Sequence, residues 1–289
     1  MQISANGIAI EIDDAGRGEP LLLLMGLGMQ LVSWPQELVA DLVARGYRVI
    51  RMDNRDVGLS QSFDHLGRPP MVSAMLRYMF GLRVPAPYAI ADMARDAFGV
   101  LDVLGIERAQ VCGVSMGGMI AQHMAAQRPE RIKRLTLMMT TSGSRSLPQP
   151  STRVRTALLA RPANPNDLDS IVEHLEKTFA LIGSPDYRTD PALFRQRLRA
   201  IVTRSWRPAG VARQLVAIVA DGDRTPMLGK IAAPTHILHG AADPLVPVAA
   251  AYHLNRKIPG STLEVIEGMG HDLPLPLVPR FVQAIARDA

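Results

Sequence analysis

Gly113-Val114-Ser115-Met116-Gly117 places a small nucleophile between two glycines, where an apolar run meets a segment of helical periodicity. Before it, Ala109-Gln110-Val111-Cys112 reads as a short buried strand. After it, Met119, Ile120, His123 and Met124 recur at the spacing of one helix face. Ser115 therefore falls on a sharp strand-to-helix turn. Such a turn strains the backbone and brings its two limbs close together, so the flanking positions must lack side chains, as Gly113 and Gly117 do. The serine hydroxyl is expected to stand exposed at the end of a strand.

A serine hydroxyl is a poor nucleophile at neutral pH, and it needs a base to take its proton and a carboxylate to hold and charge-compensate that base. The chain supplies both further on. The apolar run Thr235-His236-Ile237-Leu238-His239 leads into Gly240-Ala241-Ala242-Asp243-Pro244, a strand followed by a tight loop that presents Asp243. A second strand, Thr262-Leu263-Glu264-Val265-Ile266, leads into Glu267-Gly268-Met269-Gly270-His271, whose glycines let a loop carry His271 back over the sheet. Ser115, Asp243 and His271 thus occur in the order serine, acid, base, each at the end of a strand, where open parallel sheets carry their sites.

With these motifs the chain resembles the α/β-hydrolase superfamily over nearly its whole length. Pro20-Leu21-Leu22-Leu23-Leu24-Met25-Gly26-Leu27-Gly28 is similar to that family's strand and oxyanion loop. Arg51-Met52-Asp53-Asn54-Arg55-Asp56-Val57-Gly58-Leu59-Ser60 is similar to its D-x-R-G-x-G-x-S turn, and Gly268-Met269-Gly270-His271 to its histidine loop. Within the family the chain most resembles small esterases of the aclacinomycin methylesterase type, and next the enol-lactonases. It departs from many members at Met25, where a histidine usually precedes the glycine. The resemblance implies an α/β fold of mostly parallel strands flanked by helices, and backbone N–H donors from Leu27 and Met116 to the oxyanion of a tetrahedral intermediate. It also implies that the Asp53 and Arg55 turn is structural, which reads as a loop-bracing ion pair.

Strand patterns near Leu21, Val49, Val111, Leu135, Ile237 and Val265 alternate with helical ones, the rhythm of a parallel sheet covered on both faces. Residues 1–11 alternate like a hairpin. The rhythm breaks after residue 143. Residues 144–230 carry helical segments at Asp167 to Leu181, Pro191 to Thr203 and Ala209 to Ala220, punctuated by prolines. This reads as a helical cap inserted into a core of residues 1–143 and 231–289. A smaller excursion spans Ser62 to Tyr88, and its methionines Met71, Met75 and Met79 share a helix face. Packing against the cap is the favoured reading of that face, and a substrate wall or lid is the alternative. Met29, Met139 and Met269 adjoin the strand-end loops and are candidate pocket residues.

Composition bounds the rest. With 289 residues and 47% hydrophobic content, the chain can bury a large core. The net charge of +5 comes from scattered arginines, which argues against a nucleic-acid stripe. Cys112, the one cysteine, excludes an internal disulfide and reads as a packed strand residue. The start of the chain lacks the basic and apolar regions of a signal peptide, and Leu21 to Leu24 is far short of the roughly 20 residues that span a bilayer, so a cytoplasmic location without a membrane span is expected. The seven histidines show no metal-ligand spacing, and neither a P-loop nor a strand-linked dinucleotide fingerprint is present, so no metal or cofactor is implied. Asp272, beside the proposed base, is poorly placed to serve the neighbouring imidazole. His239 reads as packed, and His123 and His174 as helix residues without ligand companions.

A serine at the turn forms an acyl-enzyme, which points away from the aspartate-dependent dehalogenases and epoxide hydrolases of this fold. The expected activity is that of a carboxylesterase on apolar or aromatic esters, with a small-molecule or oligomeric ester as substrate. A lactonase or enol-lactonase using the same three residues, and a non-catalytic receptor on the same scaffold, remain open, as does the oligomeric state.

Overall fold

Leu21 to Leu24 and Val111 to Val114 lie side by side at the middle of an eight-stranded sheet, with Leu24 level with Gly113. Both runs are free of polar side chains, as strands buried on both faces require. A computed structural model of the chain describes residues 1–286. The first part of the chain gives β1 (Gln2–Ala5), β2 (Ile8–Ala15), β3 (Glu19–Leu24), α1 (Gln36–Ala44), β4 (Tyr47–Met52), α2 (Met71–Met79) and α3 (Ile90–Val103). There follow β5 (Ala109–Val114), α4 (Met116–Gln127) and β6 (Ile132–Met138), then five helices in succession. These are α5 (Thr152–Leu159), α6 (Leu168–Ile182), α7 (Pro191–Arg204), α8 (Pro208–Asp221) and α9 (Thr225–Leu228). The chain then returns to the sheet with β7 (Thr235–Gly240), α10 (Ala249–Lys257), β8 (Thr262–Ile266) and α11 (Val278–Ile285).

The strand order is β1-β2-β4-β3-β5-β6-β7-β8. β1 and β2 form an antiparallel hairpin turned at Asn6-Gly7, where φ is positive at both residues, and β2 pairs antiparallel with β4. From β4 to β8 every pairing is parallel. Side chains alternate across the sheet, so Leu22, Leu24, Val111 and Leu137 share one apolar cluster with α3, α4 and α10. Leu21, Leu23, Cys112 and Leu238 share the other with α1 and α11. The sheet is thereby covered on both sides, and its loops are left to meet at the strand ends.

The helices α5 to α9 occupy the interval between β6 and β7. Three of them match the sequence reading closely, because Asp167 and Asp190 cap free N–H groups of α6 and α7, while Pro191 and Pro208 open α7 and α8. α6 and α7 pack through Ile171, Val172, Leu198 and Val202. α8 is clamped to the turn after β4 by a buried pair, with both Arg213 and Asp56 almost wholly out of water and joined at 2.7 and 2.8 Å. Burial by itself would raise the Asp56 carboxyl. Hydrogen bonds from Arg213, the Phe63 N–H and Tyr88 outweigh it and hold the carboxyl below its usual range.

The Asp53 and Arg55 turn braces its surroundings differently from the expectation. The two residues do not pair with each other; Asp53 takes Arg204 of α7 at 2.8 Å, while Arg55 takes Asp96 of α3 at 2.6 Å. α2 packs on α8 through Met71, Ala74 and Tyr78, whereas Met79, expected on that same face, is exposed.

Candidate active site

The turn at Ser115 is as tight as its glycines require. Ser115 sits at φ +54° and ψ −116°, a conformation that L-residues rarely hold, and α4 begins at the next residue. A Cβ on Gly113 would collide with the Gly117 carbonyl, and one on Gly117 with the Leu24 carbonyl. The strained residue is fastened on both sides: its N–H donates to Met138 O at 2.9 Å, and Thr140 Oγ1 donates to its carbonyl at 2.7 Å.

The loops after β7 and β8 bring Asp243 and His271 to it. Asp243 Oδ1 accepts the N–H groups of Leu245 and Val246 at 2.9 and 2.8 Å, so the carboxylate is held by its own loop. Its Oδ2 lies 2.7 Å from His271 Nδ1, and His271 Nε2 lies 3.0 Å from Ser115 Oγ. An ionised carboxylate can only accept, so Nδ1 carries the proton and the Nε2 lone pair faces the serine hydroxyl. That is the arrangement of a poised base.

Two neighbours shape this relay. His239 is wholly buried, its Nε2 donates to Val246 O at 2.7 Å and stands 3.5 Å from Asp243 Oδ2. Burial lowers its pKa, against the pull of Asp243, so it presents an N–H dipole without a charge. Asp272 faces away from the imidazole and accepts both the N–H and the hydroxyl of Ser184, at 3.0 and 2.5 Å, while burial raises its carboxyl above the usual range. Ser184 Oγ in turn accepts the Gly270 N–H, and the His271 N–H donates to Ile182 O. The histidine loop is thus laced to the C-terminal end of α6.

The loop after β3 closes the site from the other side. A Cβ on Gly26 would lie 3.2 Å from the Ser115 Cβ, so this loop runs directly over Ser115. The carbonyl of Met25 accepts Asn54 Nδ2 at 3.0 Å, and the Gly28 N–H donates to Gln214 Oε1 at 2.9 Å. Gln214, buried on α8, also donates to Arg55 O at 2.8 Å. Met25 itself is buried in the apolar cluster against α1 and α11. The bracing that a histidine at position 25 would supply comes here from Asn54 and Gln214. Neither residue stood out in the sequence, since Gln214 follows Arg213 and stands just before the apolar run Leu215-Val216-Ala217-Ile218-Val219.

A cleft of about 50 Å³ opens beside this loop, lined chiefly by apolar side chains including Met29, Val57, Phe179, Leu198 and Val211. Met29 lies in it, while Met139 and Met269 are packed inside the cluster below the strand ends and are absent from its lining. His123 is held by an ion pair, with Asp221 of α8 2.9 Å from its Nε2. Among the described residues no group of three or more histidine, cysteine or acidic side chains is placed to hold a metal ion.

Residues 19–276 match the family model of the α/β hydrolase fold, and the chain belongs to that family. Among characterised relatives it is 30% identical over 286 residues to rhodomycin D methylesterase DnrP of Streptomyces peucetius, covering 92% of this chain and 89% of that protein. It is 29% identical over 272 residues to a 2-hydroxy-6-oxononadienedioate/2-hydroxy-6-oxononatrienedioate hydrolase of Klebsiella pneumoniae subsp. pneumoniae, covering 91% of this chain and 85% of that protein. Among solved structures, the enol-lactonase from Burkholderia xenovorans superposes with a TM-score of 0.74 at 22% identity, over 98% of this chain and 97% of that one, a likeness of fold.

Proposed function

We propose that this α/β hydrolase is a carboxylesterase that cleaves apolar or aromatic esters through an acyl-enzyme on Ser115. The observation that carries the reading is the unbroken relay from Ser115 Oγ to His271 Nε2 at 3.0 Å and from His271 Nδ1 to Asp243 Oδ2 at 2.7 Å. In this reading Ser115 attacks the ester carbonyl as His271 takes its proton, and Asp243 stabilises the imidazolium. The Leu27 and Met116 N–H groups receive the negative oxygen, Met116 from the first turn of α4, where unpaired donors and the helix dipole favour an anion. His271 then returns its proton to the departing alcohol, and water activated by the same histidine releases the acid.

The apolar cleft beside the oxyanion loop and the named methylesterase relatives support an ester of low polarity. The cleft lies beside Gly28 and Met29 of the loop after β3 and is apolar, which suits an apolar acyl or alkoxy group of a small-molecule or oligomeric ester.

Intact-mass analysis after treatment with a serine-directed organophosphonate tests the assignment. One adduct is expected, absent from Ser115→Ala, together with hydrolysis of short-chain nitrophenyl esters that falls by a factor of about 10⁴ or more in that variant. Folded protein that forms no adduct would overturn the esterase reading and favour a ligand receptor. Turnover confined to cyclic esters would assign the site to a lactonase.

A further inference from the structure

α2 carries apolar residues on two faces. Met71, Ala74 and Tyr78 point to α8, where they pack with Val216, Val219 and Ala220. On the opposite face Val72, Leu76 and Met79 follow one another at helical spacing and are 76%, 49% and 64% exposed. Phe80 and Leu82, in the turn that follows, continue the ridge at 75% and 57% exposed. A short helix that is apolar all round normally has both faces covered, and a contiguous exposed patch of this kind marks an interaction surface.

The charges carried by the ridge segment itself are all of one sign. Between His65 and Ala91 the chain contains no aspartate or glutamate, but it contains Arg68, Arg77 and Arg83. All three are exposed, and none takes part in an ion pair among the described residues. Arg145 stacks on Tyr78 and donates to the Tyr78 and Met79 carbonyls, so the C-terminal end of α2 is also positive. Guanidinium groups beside large aliphatic and aromatic side chains match phosphate headgroups above acyl chains.

We propose that the α2 ridge, Val72, Leu76, Met79, Phe80 and Leu82 with Arg68, Arg77 and Arg83, docks this protein on an anionic phospholipid surface. A second copy of the chain fits poorly, because a symmetric contact through this face would bring six guanidiniums together with no acid in residues 65–91 to offset them. A folded protein partner requires a matching concave surface for a protruding ridge, whereas a fluid bilayer adapts to it. The helix lies on the surface and does not cross it; no helix among the described residues is long and apolar enough to span a membrane. The ridge also sits one helix away from the site, since α8, on which α2 packs, carries Gln214 and Val211 against Gly28.

Flotation of the full chain with phosphatidylglycerol vesicles, with phosphatidylcholine vesicles as control and at low and high salt, tests the proposal without reference to catalysis. Binding is expected on phosphatidylglycerol, weak binding on phosphatidylcholine, and a loss of about ten-fold or more in the charge-conserving variant Leu76→Ser/Phe80→Ser. Both residues are exposed, so an unchanged thermal midpoint verifies folding. No flotation of the parent chain would overturn the proposal, as would equal flotation of the variant, which would reduce the effect to net charge. A dimer in sedimentation that the variant abolishes, without vesicle binding, would reassign the face to a second copy. Retention on an acidic amphipathic peptide, without vesicle binding, would reassign it to a protein.

Discussion

Ser115 keeps its strained φ of +54° because hydrogen bonds at its N–H and carbonyl hold it there and because the two flanking glycines leave room. The geometry that exposes its hydroxyl is a local property of five residues. The oxyanion loop is different, since its bracing comes from distant side chains. Gln214 is 186 residues from Gly28 in the chain, yet its Oε1 fixes the Gly28 N–H. Gly28 is itself confined, with φ +69° and Val211 2.9 Å from where a Cβ would stand. Replacing Gln214 by alanine should leave that N–H unpaired and loosen the loop over Ser115. The expected result is a fall in kcat of about ten-fold to a hundred-fold, approaching the loss of one oxyanion donor, with KM little changed. Gln214→Glu keeps an acceptor for the Gly28 N–H but loses the donor to the Arg55 carbonyl in a buried place, and should recover little of the rate. Steady-state kinetics of the two variants on a nitrophenyl ester decide this, and equal rates in all three proteins would refute it.

At the scale of elements, the inserted helices are joined to the sheet by buried charge as well as by apolar contact. Arg213 of α8 reaches both oxygens of Asp56, whose second partner is Tyr88. Removing one member of such a pair leaves the other charged in a place that water does not reach. Arg213→Ala should therefore lower unfolding stability by about 3–5 kcal/mol, measured by urea titration. It should also depress esterase activity, because α8 places Gln214 and Val211 against the oxyanion loop. A change under about 1 kcal/mol would show that the pair contributes little beyond its neighbours. Ser184 and Asp272 make a second link, between α6 and the loop that carries His271. Opening the insert at that point would disturb the loop that holds His271.

For the whole molecule, the pH dependence of stability follows from the buried groups. His239 and His253 are held below their ordinary 6.5, by burial first and, for His253, then by Arg256 and Lys257. Their protons bind more readily to the unfolded chain, so the stability they contribute is complete above about 6.5 and is lost as pH falls from there toward their folded values. Asp56 and Asp221 lie below their ordinary 3.8, because their ion pairs and hydrogen bonds outweigh burial, and their contribution is lost only as pH falls through that lower range. Asp272, raised by burial, acts in the opposite sense, with a contribution that fades as pH rises through its folded value. Circular dichroism melts are expected to show a flat Tm from pH 8 to 7, a first decline below about 6.5 and a steeper one below about 4. His239→Gln should reduce the first decline, and an unchanged slope there would remove His239 from this account.

The sequence by itself determined the parts that depend on short-range pattern. Apolar runs of four to six residues become buried parallel strands, acidic caps set the starts of α6 and α7, prolines those of α7 and α8, and the glycines around Ser115 have no other explanation than a close turn. The order of Ser115, Asp243 and His271 was legible for the same reason, since each follows a recognisable strand. Tertiary structure alone decided which distant side chains meet. Asp53 and Arg55, two apart in the chain, part company to reach α7 and α3. Met139 and Met269, beside the right loops, turn into the core, while Asn54 and Gln214 take up the bracing of a loop that begins at Met25. The division has a physical cause: backbone preferences act over a few residues, but side-chain direction and pairing depend on where separate helices and loops come to rest against the sheet.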